Sequence, residues 1–192
     1  MKPPQPLPTR PPFLSLYTPT FRRPEGLARC LASVAAQTAV ADIEHVVVPD
    51  HVGYGVGAGL YGRLAWYASA LRGAYVNLLA DDDVLADPTV VAQVRAFADR
   101  ADRPEVIVVR VCKNGLFLPL CEPTGAPICG QVDMTSFIVR QDVFRAHLAD
   151  YGVRYEGDYD HAKAMHDAGR AFAFLDVLWA IGGASNGRPE AA

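Results

Sequence analysis

Hydrophobic positions recur along this chain with two different periods, one typical of buried strands and one typical of amphipathic helices. Short apolar runs predict strands over 13–17, 43–48, 75–80, 106–111, 134–139 and 172–175. Apolar residues at helical spacing predict helices over 24–37, 60–71, 88–97, 141–148 and 159–168. Strand and helix alternate four times before residue 112, which predicts an α/β domain with a mostly parallel mixed sheet.

Individual residues predict where several of these helices begin and which of their faces are buried. Pro24 suits the first turn of the first helix, and Leu27, Leu31 and Val34 predict its buried stripe. Asp87 is predicted to cap the third helix, with Pro88 as its first helical residue. The run 43–48 is almost continuously apolar, which is typical of a parallel strand covered on both faces.

Composition and charge limit the function classes. The 192 residues are 51% hydrophobic and 20% charged, which is a globular balance. A net charge of −3 offers no general attraction to nucleic acid, and no apolar run approaches the length of a membrane span. We expect a disordered, Pro-rich leader over 1–12, one domain over 13–185 and a flexible tail over 186–192.

Three consecutive acids, Asp81, Asp82 and Asp83, directly follow the predicted strand 75–80. Adjacent carboxylates repel each other unless a positive group lies among them. A divalent cation carrying a diphosphate suits such a cluster, because hard cations prefer oxygen ligands. This acidic triplet therefore predicts an enzyme that handles a nucleotide.

Other polar residues follow the neighbouring strands, where ligands bind in open α/β sheets. Residues 18–23 follow the first strand and Asp50 follows the second. A second acidic cluster surrounds Asp158, which precedes a helix and can act both as a helix cap and as a catalytic group. Asp133 near a predicted strand start is an additional candidate for the same cleft. Three arginines could meet phosphates: Arg22, Arg23 and Arg63.

A glycine pattern favours a different class of protein. Gly57, Gly59 and Gly62 form a GxGxxG before a helix, with Asp81 about twenty residues further on, as in a dinucleotide-binding fingerprint. Residues 49–56 separate this pattern from its strand, whereas the fingerprint needs a tight turn. An NAD(P)-binding Rossmann protein remains an alternative.

Taken together, the chain resembles a family 2 glycosyltransferase with the GT-A fold over roughly residues 13–185. The resemblance lies in an opening strand, turn and helix, a second strand, an Asp-rich segment, an acceptor-side segment and a block with a catalytic base. These segments are FLSLYTPTFRRPEGLARCLASVAAQT (13–38), IEHVVVPD (43–50), ALRGAYVNLLADDDVLADP (70–88), VDMTSFIVRQDVF (132–144) and GDYDHAKAMHDAGRAFAFLD (157–176).

The resemblance implies an inverting transfer of sugar from a nucleoside diphosphate sugar to an acceptor hydroxyl, with Mn²⁺ or Mg²⁺ as the cofactor and Asp158 as the base. The metal would bind at Asp81 and Asp83 if the Asp-x-Asp motif is aligned directly. An alignment on the following Val-Leu instead places the last two family acids at Asp82 and Asp83. The implied nucleotide site consists of Thr18, Pro19, Thr20, Arg22, Asp50, Arg63, Asp81 and Asp82. The implied acceptor side consists of Asp133, Met134 and Glu156.

The chain departs from the family pattern at three positions: Arg22 is commonly Asn, Pro49 replaces an acid, and Gly157 replaces the Glu of a Glu-Asp pair. Pro49 and Gly157 keep a second alternative open, a non-catalytic module that binds a sugar nucleotide. The acceptor stays open among a glycan, a lipid, a protein and a small molecule, with no nucleic acid expected. We expect a cytoplasmic protein, with peripheral association at the inner membrane face and a homodimer among its options.

Overall fold

The structure is a computed structural model that describes residues 10–50, 61–100, 103–152 and 154–182. Eight strands and five α-helices lie in these ranges. The strands are β1 (Leu14–Thr20), β2 (Ile43–Pro49), β3 (Tyr75–Leu78), β4 (Val84–Leu85), β5 (Val106–Lys113), β6 (Leu116–Leu118), β7 (Phe137–Arg140) and β8 (Phe172–Gly182). The helices are α1 (Pro24–Ala35), α2 (Gly62–Tyr67), α3 (Val90–Ala98), α4 (Gln141–Ala146) and α5 (Gly157–Asp167).

All eight strands form one mixed sheet. Its order is β2-β1-β3-β7-β5-β8-β4, and β6 pairs with β5 as a hairpin. β1 pairs in parallel with β2 and β3, and β5 pairs in parallel with β8. β7 runs antiparallel between β3 and β5, and β4 and β6 are also antiparallel to their partners. Five strands therefore point the same way, which agrees with the predicted mostly parallel mixed sheet.

Helices cover both faces of the sheet, and the side chains of β5 accordingly alternate between two hydrophobic cores. Ile107, Val109 and Val111 join the core under α1 and α3. Val106 and Val108 join the core under α2, α4 and α5. This period of two in a continuously apolar strand is the expected result of burying both faces.

The first helix and second strand are less buried than predicted. Pro24 opens α1 as expected, but the buried stripe is Gly26, Cys30 and Val34. Leu31 is 41% exposed, because the buried face is one residue out of phase with the predicted stripe. β2 forms an edge of the sheet, so most of its side chains are only half-buried.

Several helix limits differ from the predictions. Helix α3 begins at Val90 with Thr89 as its N-cap, and Asp87 instead accepts a hydrogen bond from the Thr89 N–H at 2.8 Å. Helix α5 begins at Gly157 with Glu156 as its N-cap, so Asp158 lies inside the first turn. The two-residue strand β4 was not predicted, since its sequence continues directly from the acidic triplet.

The predicted domain limits lie largely outside the described residues. Residues 1–9 of the predicted leader and the whole predicted tail, 186–192, are among those not described. Pro12 is buried, and its carbonyl accepts a hydrogen bond from the Ala74 N–H at 3.2 Å. Pro12 therefore contacts the segment that precedes β3. Within the described ranges, no helix is both long enough and apolar enough to cross a membrane.

Candidate functional site

A cleft of about 650 Å³ opens at the carboxyl ends of the parallel strands. β1 has β2 on one side and β3 on the other, and such a switch in strand order leaves a crevice for ligands. We call this crevice the central cleft. Ten predicted site residues line it: Pro19, Thr20, Asp50, Arg63, Asp81, Asp82, Asp133, Met134, Glu156 and Asp158.

Three predicted residues do not line the central cleft. Thr18 is completely buried, and its Oγ1 lies 2.9 Å from His45 Nε2 on the neighbouring strand. Arg22 is exposed, and its guanidinium lies 5.1 Å from the centroid of the adjacent Phe21 ring. Asp83 is completely buried beneath the cleft. Thr18 therefore supports the sheet, and Arg22 lies outside the central cleft.

The acidic triplet divides into two acids at the cleft and one beneath it. The Arg23 Nη1 lies 2.6 Å from Asp81 Oδ1 and 3.5 Å from Asp82 Oδ1. The other Asp81 oxygen, Oδ2, is buried and has no hydrogen-bond partner among the residues that the structure describes. Burial raises the pKa of Asp81, although hydrogen bonds from Thr20 and Arg23 act in the opposite direction. An unpartnered buried carboxylate oxygen is costly, so this atom marks a place for a positive group.

Asp83 binds Lys113 instead of facing the cleft. The Lys113 Nζ lies 2.6 and 2.5 Å from the two Asp83 oxygens, and the Thr135 hydroxyl donates to Oδ2 at 3.0 Å. Burial raises the pKa of Asp83 to about 6, against the attraction of Lys113. Lys113 also lies 3.6 Å from Asp133 Oδ1. Asp83 therefore fixes the position of the Lys113 ammonium group, and Lys113 lines the cleft.

Asp158 lies in the first turn of α5, on the wall of the central cleft. Its Oδ1 accepts a hydrogen bond from the Tyr159 N–H at 2.8 Å. Burial raises the pKa of Asp158 to about 7, and the negative charge of Asp133 adds to this shift. A carboxylate with a pKa near 7 can take up and release a proton at neutral pH.

A stack of three rings supports the start of α5. The Tyr61 and Tyr151 ring centroids lie 4.9 Å apart, and those of Tyr151 and His161 lie 3.9 Å apart, both nearly parallel. Burial lowers the pKa of His161 to about 3, so this ring is neutral. A Cβ at Gly157 would lie 2.2 Å from the Tyr151 carbonyl and 2.6 Å from the Tyr61 ring. The residue before Asp158 must therefore be glycine in this packing.

Asp50 and Arg63 form an ion pair on another wall of the central cleft. Arg63 Nη2 donates to Asp50 Oδ1 at 2.6 Å, and Nη1 donates to the Pro49 carbonyl at 3.0 Å. Tyr17 also lines the cleft, and no described residue hydrogen-bonds to its buried hydroxyl. Burial raises the pKa of Tyr17 to about 12, so the phenol keeps its proton for a ligand.

Sequence reasoning missed Lys113, Tyr17 and Tyr61 as residues of the cleft. Lys113 ends β5, which is the same kind of strand-end signal that identified Asp50. Tyr17 lies within a buried strand and Tyr61 just before a helix, so neither carried a polar signal. Gly57 and Gly59 of the dinucleotide alternative lie outside the described residues, while Gly62 is the first residue of α2.

The residues present fit a divalent cation only in part. Within the described ranges, no three His, Cys, Asp or Glu side chains converge as a ready-made metal site. Mg²⁺, however, commonly binds to one or two carboxylates together with substrate phosphates. Asp81 Oδ2 and Asp82 offer such a pair. Six carboxylates and three cationic side chains of the described chain line the central cleft, so an incoming diphosphate would need further positive charge.

Comparison with solved structures identifies the fold. S. aureus TarS (residues 1–349) in complex with UDP-GlcNAc matches with a TM-score of 0.66 and 16% identity, over 92% of this chain and 60% of TarS 1–349. The mannosyltransferase PcManGT from Pyrobaculum calidifontis, in complex with GDP-Man and Mn²⁺, matches with a TM-score of 0.67 and 12% identity, over 90% of this chain and 57% of that one. A197 from STIV matches with a TM-score of 0.59 and 12% identity, over 87% and 83% of the two chains.

These likenesses confirm the predicted fold class, which is that of GT-A glycosyltransferases. The chain spans 37% of one TarS chain and 60% of three TarS 1–349 chains. No protein-family model matches the sequence. No curated protein matches it either.

Proposed function

We propose that this protein is an inverting glycosyltransferase of the family 2 type. It would transfer a sugar from a nucleoside diphosphate sugar to the hydroxyl of an acceptor. The observation that carries the proposal is that one cleft is lined both by Asp158, with its pKa near 7, and by the acids Asp81 and Asp82. The glycosyltransferase fold and the sugar nucleotides bound to two structural neighbours support it.

In this proposal the donor lies along the carboxyl ends of β1 and β3. Pro19, Thr20, Asp50 and the Tyr17 hydroxyl line the nucleoside pocket. The diphosphate lies near Arg23 and Lys113, which provide positive charge beside the acids. Mn²⁺ or Mg²⁺, held by Asp81 Oδ2 and Asp82, would neutralise charge that develops on the departing diphosphate.

Asp158 acts as the general base. It accepts the proton of the acceptor hydroxyl while the acceptor oxygen bonds to the anomeric carbon. The bond from that carbon to the diphosphate oxygen breaks, and the diphosphate leaves with the electron pair. Attack on the face opposite the leaving group inverts the configuration, and general-base assistance contributes about 10²–10⁴-fold in rate.

Asp133, Met134 and Glu156 form the acceptor side of the same cleft. Asp133 is fixed there, because its Oδ1 accepts the Thr135 N–H at 2.9 Å at the start of a short 3-10 helix. A cytoplasmic location, with peripheral association at the inner membrane face, completes the proposal and is tested by cell fractionation. Light scattering decides between a monomer and a homodimer.

A thermal-shift and calorimetry panel tests donor binding. We expect UDP-, GDP- or dTDP-sugars with Mn²⁺ to raise the melting temperature, because a ligand at about 100 times its Kd adds about 2.7 kcal/mol of stability. NAD(P)H should give no shift. Stabilisation by NAD(P)H alone, or no heat with any sugar nucleotide, contradicts the proposal.

Variants then separate an enzyme from a binding module. Asp158→Asn should bind the donor as the wild type does but transfer sugar about 10²–10⁴-fold more slowly. Asp160→Asn is the matched control, because Asp160 lies on the same helix and binds Arg154 outside the cleft. Equal donor turnover in wild type and Asp158→Asn, with acceptor transfer in neither, would identify a non-catalytic module.

A further inference from the structure

A second cleft, of about 460 Å³, lies at the opposite edge of the sheet from the central cleft. It is bordered by residues at the amino ends of β1, β3 and β5 and by the end of the antiparallel β7. Five arginines line it: Arg10, Arg72, Arg95, Arg103 and Arg140. Asp99 is the one carboxylate among the described residues that line it. We call this the arginine cleft.

Three of these arginines are held in place by ion pairs, and Asp99 is the one acid in these pairs that itself lines the cleft. The pairs are Arg72 with Glu44, Arg95 with Asp42 and Asp99, and Arg140 with Glu105 and Asp142. Each guanidinium carries five N–H donors, so a carboxylate partner on one side leaves donors for a second anion. These ion pairs therefore orient the guanidinium groups before any ligand arrives.

The other two arginines, Arg10 and Arg103, have no carboxylate partner in the part of the chain that the structure describes. Both side chains are exposed at the rim of the cleft. Arg103 has a φ of 35°, in the left-handed region that most residues avoid. Its carbonyl accepts a hydrogen bond from the Arg140 guanidinium at 3.4 Å, which links the two arginines.

We propose that the arginine cleft binds an anion through a phosphate group. Guanidinium forks match the geometry of phosphate oxygens and bind them in bidentate pairs. The protein as a whole has a net charge of −3, whereas the described residues that line this cleft include five arginines and one acid, so the cleft is more positive than the average surface. The phosphate belongs either to a small soluble molecule or to the headgroup of an anionic lipid. This site is separate from the central cleft and does not rest on the proposed transferase activity.

The test compares two double variants that remove the same charge. Arg10→Ala/Arg103→Ala removes the two arginines that have no acid partner within the described ranges. Arg29→Ala/Arg100→Ala removes two exposed arginines that do not line the cleft. Thermal unfolding confirms that both variants fold. Binding is measured with EDTA present, so that no metal-bound phosphate enters the central cleft.

Two probes are used at about 0.15 M salt, where long-range attraction is screened. Inorganic phosphate is titrated by calorimetry, and phosphatidylcholine vesicles with and without phosphatidylglycerol are used for co-sedimentation. We expect the Arg10/Arg103 variant to weaken binding of one probe at least tenfold and the control variant less than twofold. Calorimetric binding of phosphate identifies a soluble ligand, and selective sedimentation with the anionic vesicles identifies a lipid headgroup. Absence of binding to both probes, or equal weakening in both variants, overturns the proposal.

Discussion

At the scale of single residues, the proposed chemistry depends on how one carboxylate is surrounded. Asp158 has a helix N-terminus and the Tyr159 N–H beside it, and both stabilise its charged form. Burial and the nearby charge of Asp133 act more strongly in the other direction and raise its pKa to about 7. The same side chain on an open helix would be ionised throughout the physiological range and would be a weaker base.

The rate of transfer should therefore follow the ionisation of Asp158. We expect kcat/KM to rise about tenfold per pH unit below pH 7 and to reach a plateau above it, because only the carboxylate accepts a proton. Asp158→Asn should lose both this slope and most of the rate. A pH–rate profile with saturating Mn²⁺ measures it, and an unchanged slope in Asp158→Asn would assign the titration to another group.

The free energy of unfolding should fall as the pH rises, whereas the rate of transfer should rise. Because the pKa of Asp158 is raised to about 7 in the folded state, the folded protein binds this proton more tightly than the unfolded chain does. The resulting gain in the free energy of unfolding is complete below about pH 4 and is lost as the pH rises through about 7. Asp158→Asn should then be more stable than the wild type at pH 8 and similar to it near pH 4. Urea unfolding at the two pH values checks this expectation, with Asp160→Asn again as the control.

At the scale of elements, the start of α5 is the part of the site that packing controls most closely. Tyr61, Tyr151 and His161 stack beneath it, and Gly157 lets the backbone approach the first two. The glycine that departs from the family pattern is thereby explained by its neighbours. Its lack of a side chain is a structural requirement for placing Asp158 on the wall of the cleft.

Gly157→Ala tests this packing. The added methyl group would lie 2.2 Å from the Tyr151 carbonyl, so α5 or Tyr61 must move. We expect a loss of about 1–3 kcal/mol in the free energy of unfolding, as for other overpacked sites, and a larger fall in kcat than in donor affinity. Gly62→Ala is the matched control, because no atom of the described chain lies within 4 Å of the Cβ it adds at the start of a helix. Equal effects of the two substitutions would contradict the packing argument.

The elements themselves were largely predictable, because each strand and helix carries its own apolar pattern. The predictions that were wrong concern features that packing between elements decides. Leu31 fits a helical stripe as well as Cys30 does, and only the position of the sheet decides that Cys30 is buried. The run 43–48 is apolar enough for a central strand, yet the chain order places β2 at an edge. Short elements such as β4 exist only because a partner strand pairs with them.

At the scale of the whole molecule, the sheet joins the proposed donor and acceptor sides through one buried amide. Asn77 on β3 is completely buried, and its Nδ2 donates to the carbonyls of Thr135 and Phe137 at 3.0 and 2.9 Å. Its Oδ1 accepts a hydrogen bond from Trp179 Nε1 at 3.1 Å, although β7 and β5 lie between β3 and β8 in the sheet. The segment leading into β7 carries Asp133, so this amide helps to position the acceptor side.

The candidate site was predictable in outline for the same topological reason. Parallel strands bring their carboxyl ends to one edge, which is how residues as distant as Asp50 and Asp81 were expected to share a cleft. Which acid meets which cation was not predictable. Arg23 and Asp81 are 58 positions apart, and Lys113 and Asp83 are 30 apart, so only the folded chain pairs them.

Replacing Asn77 should therefore weaken the whole sheet. Asn77→Ala leaves the Trp179 N–H and two carbonyls buried without this partner, at about 1–3 kcal/mol for each unsatisfied group, and it also leaves a small cavity. We expect a loss of at least about 3 kcal/mol in the free energy of unfolding, seen as a lower urea midpoint by circular dichroism and Trp fluorescence. Trp179→Phe removes the donor, and the double variant should fall short of the sum by about 0.5–3 kcal/mol, because the two side chains share one hydrogen bond. Additive effects would show that Asn77 and Trp179 act independently, and the amide would then not link the two sides of the sheet.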